Sequence, residues 1–234
     1  LEVSPDASLR VPRILPLKLP ENRESLNRLA AEVLYRLWWE SETSTEEQRL
    51  EIHRLALRGK VENIAVEMAK VLVRQWVKVS RYRETIAVCR NTLEVMTDYG
   101  ILHELAISEQ NLGEIDKAIE HYQEILKLCP SEDETQKAAT LHQLGRLKAN
   151  TGDIAGAIAL YEQSLAITES IGNLQGKAAS LAMLGQLLAD EQVDLETGLN
   201  YLQQSLEILQ HIQSPEAEKV KRIIARVQQL ADSK

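Results

Sequence analysis

Five histidines and two cysteines are the side chains of this sequence best suited to chemistry, and their spacing points away from catalysis. Cys89 and Cys129 lie forty residues apart, too few and too distant for a zinc set or a disulfide framework. His53, His103, His121, His142 and His211 are scattered, and no HExxH run puts two imidazoles on one helix face for zinc. A glycine-rich phosphate loop and a GxSxG nucleophile turn are both missing. No metal, cofactor or catalytic set is therefore expected. One pair does recur: His103 and His142 stand 39 residues apart, each inside a Leu-His-x-Leu run. Such a pair reads as a polar surface feature of a repeat rather than as a metal site.

The elements carrying those histidines are themselves repeated. KAATLHQLGRLKA at 137–149 returns as KAASLAMLGQLLA at 177–189 with eight of thirteen positions identical. Residues 102–130 align with 141–169 at an offset of 39, and again with 181–210 at an offset of 40 that rises to 41 near Val193. A fainter copy lies 33 residues upstream, with Trp76, Tyr82, Ile86, Cys89 and Leu93 in equivalent places. Gly145 and Gly185 hold the same mid-helix position, where glycine costs about 1 kcal/mol against alanine. A packing reason is expected: both glycines would let a partner helix approach closely, with Ala157 and Gly198 small on the other side.

Composition agrees with helices throughout. The 234 residues are 44% hydrophobic but only 4% aromatic, without Phe, and contain ten Gly and six Pro, a core of Leu, Ala, Ile and Val. Leu26, Leu29, Ala30, Val33 and Leu37 make a stripe over 23–40 that also takes in Trp38, while Trp39 falls off it and reads as rim packing or a contact. Ser44 with Glu47 forms a capping-box pattern for a helix ending near Gly59. Val61 to Val79 is one long helix, and another runs from about Tyr82 to Val95. Ser214-Pro215 opens a last helix with the stripe Val220, Ile223, Ile224, Val227 and Leu230 and a polar outer face, as an end cap should have. Before Glu21, prolines at 5, 12, 16 and 20 exclude a regular helix, so residues 1–20 are expected as a short extended segment. The expected divisions are 1–20, 21–98, 99–212 and 213–234.

Net charge is −8, which argues against general nucleic-acid binding. The charge is uneven: residues 49–90 hold ten Lys/Arg against four Glu. Such a block could be offset within the fold or could meet an acidic partner. No apolar run approaches the ~20 residues of a membrane span and no signal-peptide pattern is seen, so a reducing cytoplasmic setting and no membrane partner are expected.

Leucines followed by a small residue, a glycine turn, then Ala and Tyr on the next helix resemble the tetratricopeptide repeat (TPR) family. The matching residues are Leu102, Leu105, Ala106, Gly113, Ala118, Tyr122 and Pro130. Leu141, Leu144, Gly145, Gly152, Ala157 and Tyr161 follow, then Leu181, Leu184, Gly185, Gly198 and Leu202. The resemblance is strong over 99–210 and degenerate over about 60–98. The spacing exceeds the usual 34 residues and is similar to the longer repeats of kinesin light chains and bacterial signalling proteins. It implies an all-α fold, a TPR-like α-solenoid winding as a right-handed superhelix of helix pairs, that binds a protein or peptide and has no catalysis of its own. By the same resemblance, the groove-lining face of the first helix of each pair would present Lys70, Arg74, His103, Glu104, His142, Gln143, Arg146 and Met183. That strip reads either as a peptide groove with a basic rim or as a solvated face. It does not match the family's carboxylate clamp, since Glu104, Ala139 and Gln143 stand where Asn, Lys and Arg would be.

LEVSPDASLRVPRILPLKL resembles the wing hairpin of a winged-helix module, and 21–98 resembles the linking helices of bacterial STAND-class signalling ATPases. This implies an alternative: the sensor region of such a regulator, with the ATPase absent from this chain. Val11, Ile14 and Leu17 would then lie against the helix bearing Leu26, Leu29 and Val33, with Leu1–Asp6 as a loose edge.

Overall fold

The computed structural model describes residues 2–3, 9–10, 22–40, 44–191 and 193–232. The chain divides into two units, Leu1–Glu114 and Ile115–Lys234. In the first, β1 (Glu2–Val3) pairs antiparallel with β2 (Leu9–Arg10), Glu2 opposite Arg10 and Val3 opposite Leu9. Five helices follow: α1 (Arg23–Leu34, continued by a π-helical turn over Tyr35–Trp39), α2 (Glu46–Arg58), α3 (Glu62–Lys78), α4 (Tyr82–Leu93) and α5 (Tyr99–Asn111). The second contains α6 (Ile115–Leu128), α7 (Glu134–Asn150), α8 (Ile154–Ser170), α9 (Leu174–Asp190), α10 (Leu195–His211) and α11 (Ala217–Asp232). The expected strand–turn–strand is thus present at its base, and Glu2–Val3 is a paired edge instead of a loose one. Val11, Ile14 and Leu17 lie outside the described residues.

One turn design closes six of the helices. Lys60, Ser80, Gly113, Gly152, Gly172 and Gln213 all take positive φ, between 53° and 85°. The amide after each returns to a carbonyl five residues back: Val61 to Ala56, Arg81 to Trp76, Glu114 to Glu109, Asp153 to Lys148, Asn173 to Thr168 and Ser214 to Leu209, all at 2.8–2.9 Å. This is the Schellman arrangement, which satisfies carbonyls left over at a helix end. An Asp or Asn side chain then starts several of the following helices, as when Asp153 accepts from the Gly156 amide at 3.0 Å and Asn173 from Gly176 at 2.9 Å. At 59–61, 79–81, 151–153 and 171–173 a three-residue connection of this kind folds the next helix back along its predecessor.

Within the second unit the repeated letters have physical meaning. Ser164 on α8 donates to the Ala138 carbonyl on α7 at 2.9 Å, and Ser205 on α10 donates to the Ala178 carbonyl on α9 at 2.8 Å. Both alanines belong to the duplicated Lys-Ala-Ala run, and their short side chains leave room for the serines to approach. The two glycines differ. A methyl added at Gly185 would lie 2.6 Å from the Gly198 carbonyl oxygen and 3.0 Å from the Leu202 amide, so α9 and α10 cross backbone against backbone. At Gly145 it would meet the Tyr161 ring at 3.1 Å. The expected close crossing therefore holds at Gly185, whereas Gly145 makes room for an aromatic ring rather than for the backbone at Ala157.

The first unit departs from expectation on α1. Ala31, Leu34 and Trp38 are buried among Ile52, Ala56, Ile64 and Met68, while Leu29 and Leu37 are exposed. The helix carries two apolar stripes, and its rotation is set by polar anchors as well. Tyr35 Oη donates to Glu67 Oε2 at 2.7 Å and Trp39 Nε1 donates to Glu67 Oε1 at 2.9 Å. The Arg49 guanidinium lies 5.5 Å from the Trp39 ring centroid. The π turn brings both aromatic donors onto one carboxylate, so Trp39 is an internal anchor. The capping box of α2 is Thr45–Gln48, one residue later than Ser44–Glu47: Gln48 N donates to Thr45 Oγ1 at 3.3 Å and Thr45 N to Gln48 Oε1 at 2.9 Å. Ser44 accepts from Arg49 instead, at 3.0 Å. Gly59 adds a crossing the sequence did not announce, since a Cβ there would lie 2.4 Å from the Arg28 amide.

Candidate functional site

Four of the eight expected groove residues fall in the first unit. Lys70 and Arg74 lie one turn apart on α3, and His103 and Glu104 are neighbours on α5. Lys70 Nζ is 2.8 Å from Asp98 Oδ2, the carboxylate that also caps α5. Arg74 is exposed, and its charge holds down the carboxyl of Glu104, which burial pushes above the ordinary carboxylate range. Burial lowers the His103 imidazole below its usual value. Half of the basic block around them is paired inside the unit. Arg54, Lys60, Lys70, Arg81 and Arg90 pair with Glu51, Glu24, Asp98, Glu46 and Glu109 respectively, and the Glu109 side chain is fully buried.

The other four fall in the second unit, and there the geometry is more demanding. His142, Gln143 and Arg146 share one face of α7, and Met183 on α9 packs against the cluster of Ala157, Tyr161 and Leu184. The His142 ring stands 5.3 Å from the Tyr161 ring, tilted by 59°. His142 Nδ1, Gln143 Oε1, Arg146 Nε and Tyr161 Oη are all buried and have no hydrogen-bond partner among the described residues. Buried polar atoms are nearly always paired, so four of them in one patch mark a place where a bound group would find donors and acceptors. Burial, aided by the Arg146 charge, lowers His142 to about 4, and burial raises the Tyr161 phenol to about 12. Both rings are neutral near pH 7.

His142 and Gln143 border a cleft of about 210 Å³ between α7, α8 and α9, with Ala139, Ser164, Gln175 and Ser180 among its other walls. Ser164 and Ser180 are hydrogen-bonded to each other in its wall at 3.1 Å. That volume lies below the ~300–1,000 Å³ of a small-molecule pocket and suits a single side chain. Ser164 and Ser180 were not singled out from sequence, and Ala139 entered there only as a departure from the carboxylate clamp. The signal was the smallness of two adjacent residues, one of which gives a serine room to approach while the other opens the cleft. Among the described residues, His, Cys, Asp and Glu side chains nowhere gather in threes that could hold a metal ion. No helix among them is long and apolar enough to cross a membrane.

The tetratricopeptide repeat matches residues 97–170 and, overlapping them, residues 137–211. The chain is a tetratricopeptide repeat protein. Solved structures agree at the level of fold. BtubC (BKLC) from P. vanneervenii is 19% identical with a TM-score of 0.66, over 91% of this chain and 85% of that one. Aspartyl phosphate phosphatase F from Bacillus subtilis is 13% identical with a TM-score of 0.65, over 90% of this chain and 60% of that one. YrrB, described as a TPR protein with an unusual peptide-binding site, is 20% identical with a TM-score of 0.58, over 85% and 94%. No curated protein matches the sequence. At these identities the likeness is one of fold, and in this TPR protein the pairs α7–α8 and α9–α10 are complete repeats.

Proposed function

We propose that this TPR protein is a non-catalytic interaction scaffold that holds a peptide segment of a partner on the α7–α9 face. The observation that carries the reading is the patch of buried, unpartnered polar atoms on His142, Gln143, Arg146 and Tyr161 beside a cleft sized for one side chain. A ligand that donates to Gln143 and hydrogen-bonds His142 supplies partners for these atoms. Met183 supplies an apolar, adaptable wall. On the first unit, Lys70, Arg74, His103 and Glu104 form a second, more polar contact surface. The unusual peptide-binding site of YrrB supports the class of ligand.

Ala139→Arg tests this. Ala139 is an exposed cleft wall on α7, so arginine fills the cleft while stability moves by no more than about 0.5 kcal/mol, as for ordinary surface changes. With the wild-type chain as bait and captured proteins identified by mass spectrometry, Ala139→Arg is expected to lose the specific partner. A partner retained at wild-type levels places binding elsewhere.

A further inference from the structure

The C-terminal helix breaks the charge pattern of its unit. Residues 115–216 carry fifteen acidic side chains against six basic, whereas residues 217–234 carry five basic against two acidic. On α11 the positive charge is also arranged. Lys219, Arg222, Ile223 and Arg226 recur at spacings of three and four and so share one flank of the helix. Val220, Ile224 and Val227 occupy the buried face, and Lys221 projects from the opposite flank, 2.6 Å from Glu218. The basic flank and Gln186 of α9 border a shallow, open cleft of about 430 Å³ that Ile223 also lines. Arg226 is 2.6 Å from Asp190, and the Arg222 Nε donates to the Glu218 backbone carbonyl at 3.3 Å. Neither Lys219 nor Arg222 has a carboxylate partner among the described residues.

An end helix needed only to close the stack would carry a polar outer face of mixed sign. Here the cations are concentrated on the flank that borders a cleft, and the surface between them is aliphatic. Lys219 and Arg222 are separated by a rise of about 4.5 Å, and their long side chains reach carboxylates two residues apart on an extended chain, about 6.8 Å. We propose that the α9–α11 cleft binds an acidic segment of a partner protein in which carboxylates flank an aliphatic side chain. The carboxylates pair with Lys219 and Arg222, and the aliphatic side chain covers Ile223. Nucleic acid fits this unit poorly, because the fifteen acidic side chains before α11 repel a polyanion that extends past the cleft. This inference rests on the reading of the chain as an interaction scaffold but uses a different site from the α7–α9 cleft.

The test is fluorescence anisotropy with a fluorescein-labelled Glu-Leu-Glu repeat peptide, comparing the wild-type chain with the double variant Lys219→Glu, Arg222→Glu. All four substituted or control positions are exposed, and circular dichroism checks that each variant folds. The double variant is expected to bind about tenfold or more weakly, and raising salt should weaken the wild type, since exposed charges are screened over ~8 Å at physiological ionic strength. Lys221→Glu on the opposite flank should bind within about twofold of wild type. Ala139→Arg should leave the probe bound, which keeps this site separate from the proposed peptide cleft. Absence of wild-type binding, an equal loss with Lys221→Glu, or loss with Ala139→Arg would each overturn the inference; the first two leave capture of a partner at α7–α9 untouched, and the third would place the probe in that cleft instead.

Discussion

Gly145 and Gly185 show how one letter at one repeat position answers two different physical demands. At Gly185 the neighbour is a carbonyl oxygen 2.6 Å from where a methyl would sit. Backbone cannot swing aside, so Gly185→Ala forces α9 and α10 apart, and about 1–3 kcal/mol of destabilisation is expected. At Gly145 the neighbour is the edge of a tyrosine ring at 3.1 Å, which can shift by a few tenths of an ångström, and alanine also gains helix propensity. Gly145→Ala is therefore expected within about 1 kcal/mol of wild type. Urea denaturation of the two alanine variants separates them, and equal midpoints contradict the backbone crossing. A second residue-scale expectation concerns pH. Thr92 Oγ1 donates to the Val88 carbonyl at 2.8 Å, so it accepts from His53 Nε2 at 2.9 Å and fixes the neutral tautomer. Burial lowers His53, like His142, to about 4. A folded value below the unfolded one of about 6.5 means the unfolded chain binds more protons between the two. Stability is then fully present above pH 6.5 and falls as pH drops towards 4, by up to about 1.4 kcal/mol per pH unit for each histidine. His53→Gln, which keeps a donor for Thr92, should flatten the dependence of Tm on pH between 7 and 5. A wild-type Tm that is level across that range counts against the neutral assignment.

At the scale of elements, the repeats from α5 onwards were legible because duplication at a fixed offset is independent of any propensity, and the glycine turn at 152 announced its own left-handed backbone. The same turn at Lys60, Ser80 and Gln213 carries no such letter, since a non-glycine residue there simply bears the strain. L-residues lose roughly 1–2 kcal/mol in that conformation. Gly152→Ala should therefore cost about 1 kcal/mol. Gln213→Gly should stabilise by about 0.5 kcal/mol, because glycine's extra freedom in the unfolded chain takes back part of the gain. Thermal melts of both variants check this, and a destabilised Gln213→Gly would show that the Gln213 side chain contributes something beyond its backbone. α1 was misread for a different reason. Two stripes of similar hydrophobicity compete on it, and the winner is chosen by Glu67, a residue 28 to 32 positions away that receives Tyr35 and Trp39. A local pattern cannot report such a partner. The one-residue shift of the α2 cap has the same origin, because both Ser44–Glu47 and Thr45–Gln48 satisfy the motif and only the engagement of Ser44 by Arg49 decides.

At the scale of the whole molecule, the charge division seen in the sequence resolves locally. Half of the ten cations in 49–90 are ion-paired inside the first unit, whereas the small basic cluster on α11 borders an open cleft and was hidden in the total of −8. The eight expected groove residues divide evenly between the units. His142 and Gln143 gain weight because their polar atoms are buried and unmatched, a property that periodicity on a helix face cannot reveal. The central claim is that a partner's peptide sits against that face of α7. A photo-crosslinking amino acid placed at Gln143, and separately at Glu162 on the exposed side of α8, tests it most directly. Adducts with a protein partner are expected from position 143 and not from position 162. Equal adducts from both, or adducts from 162 alone, would contradict the claim.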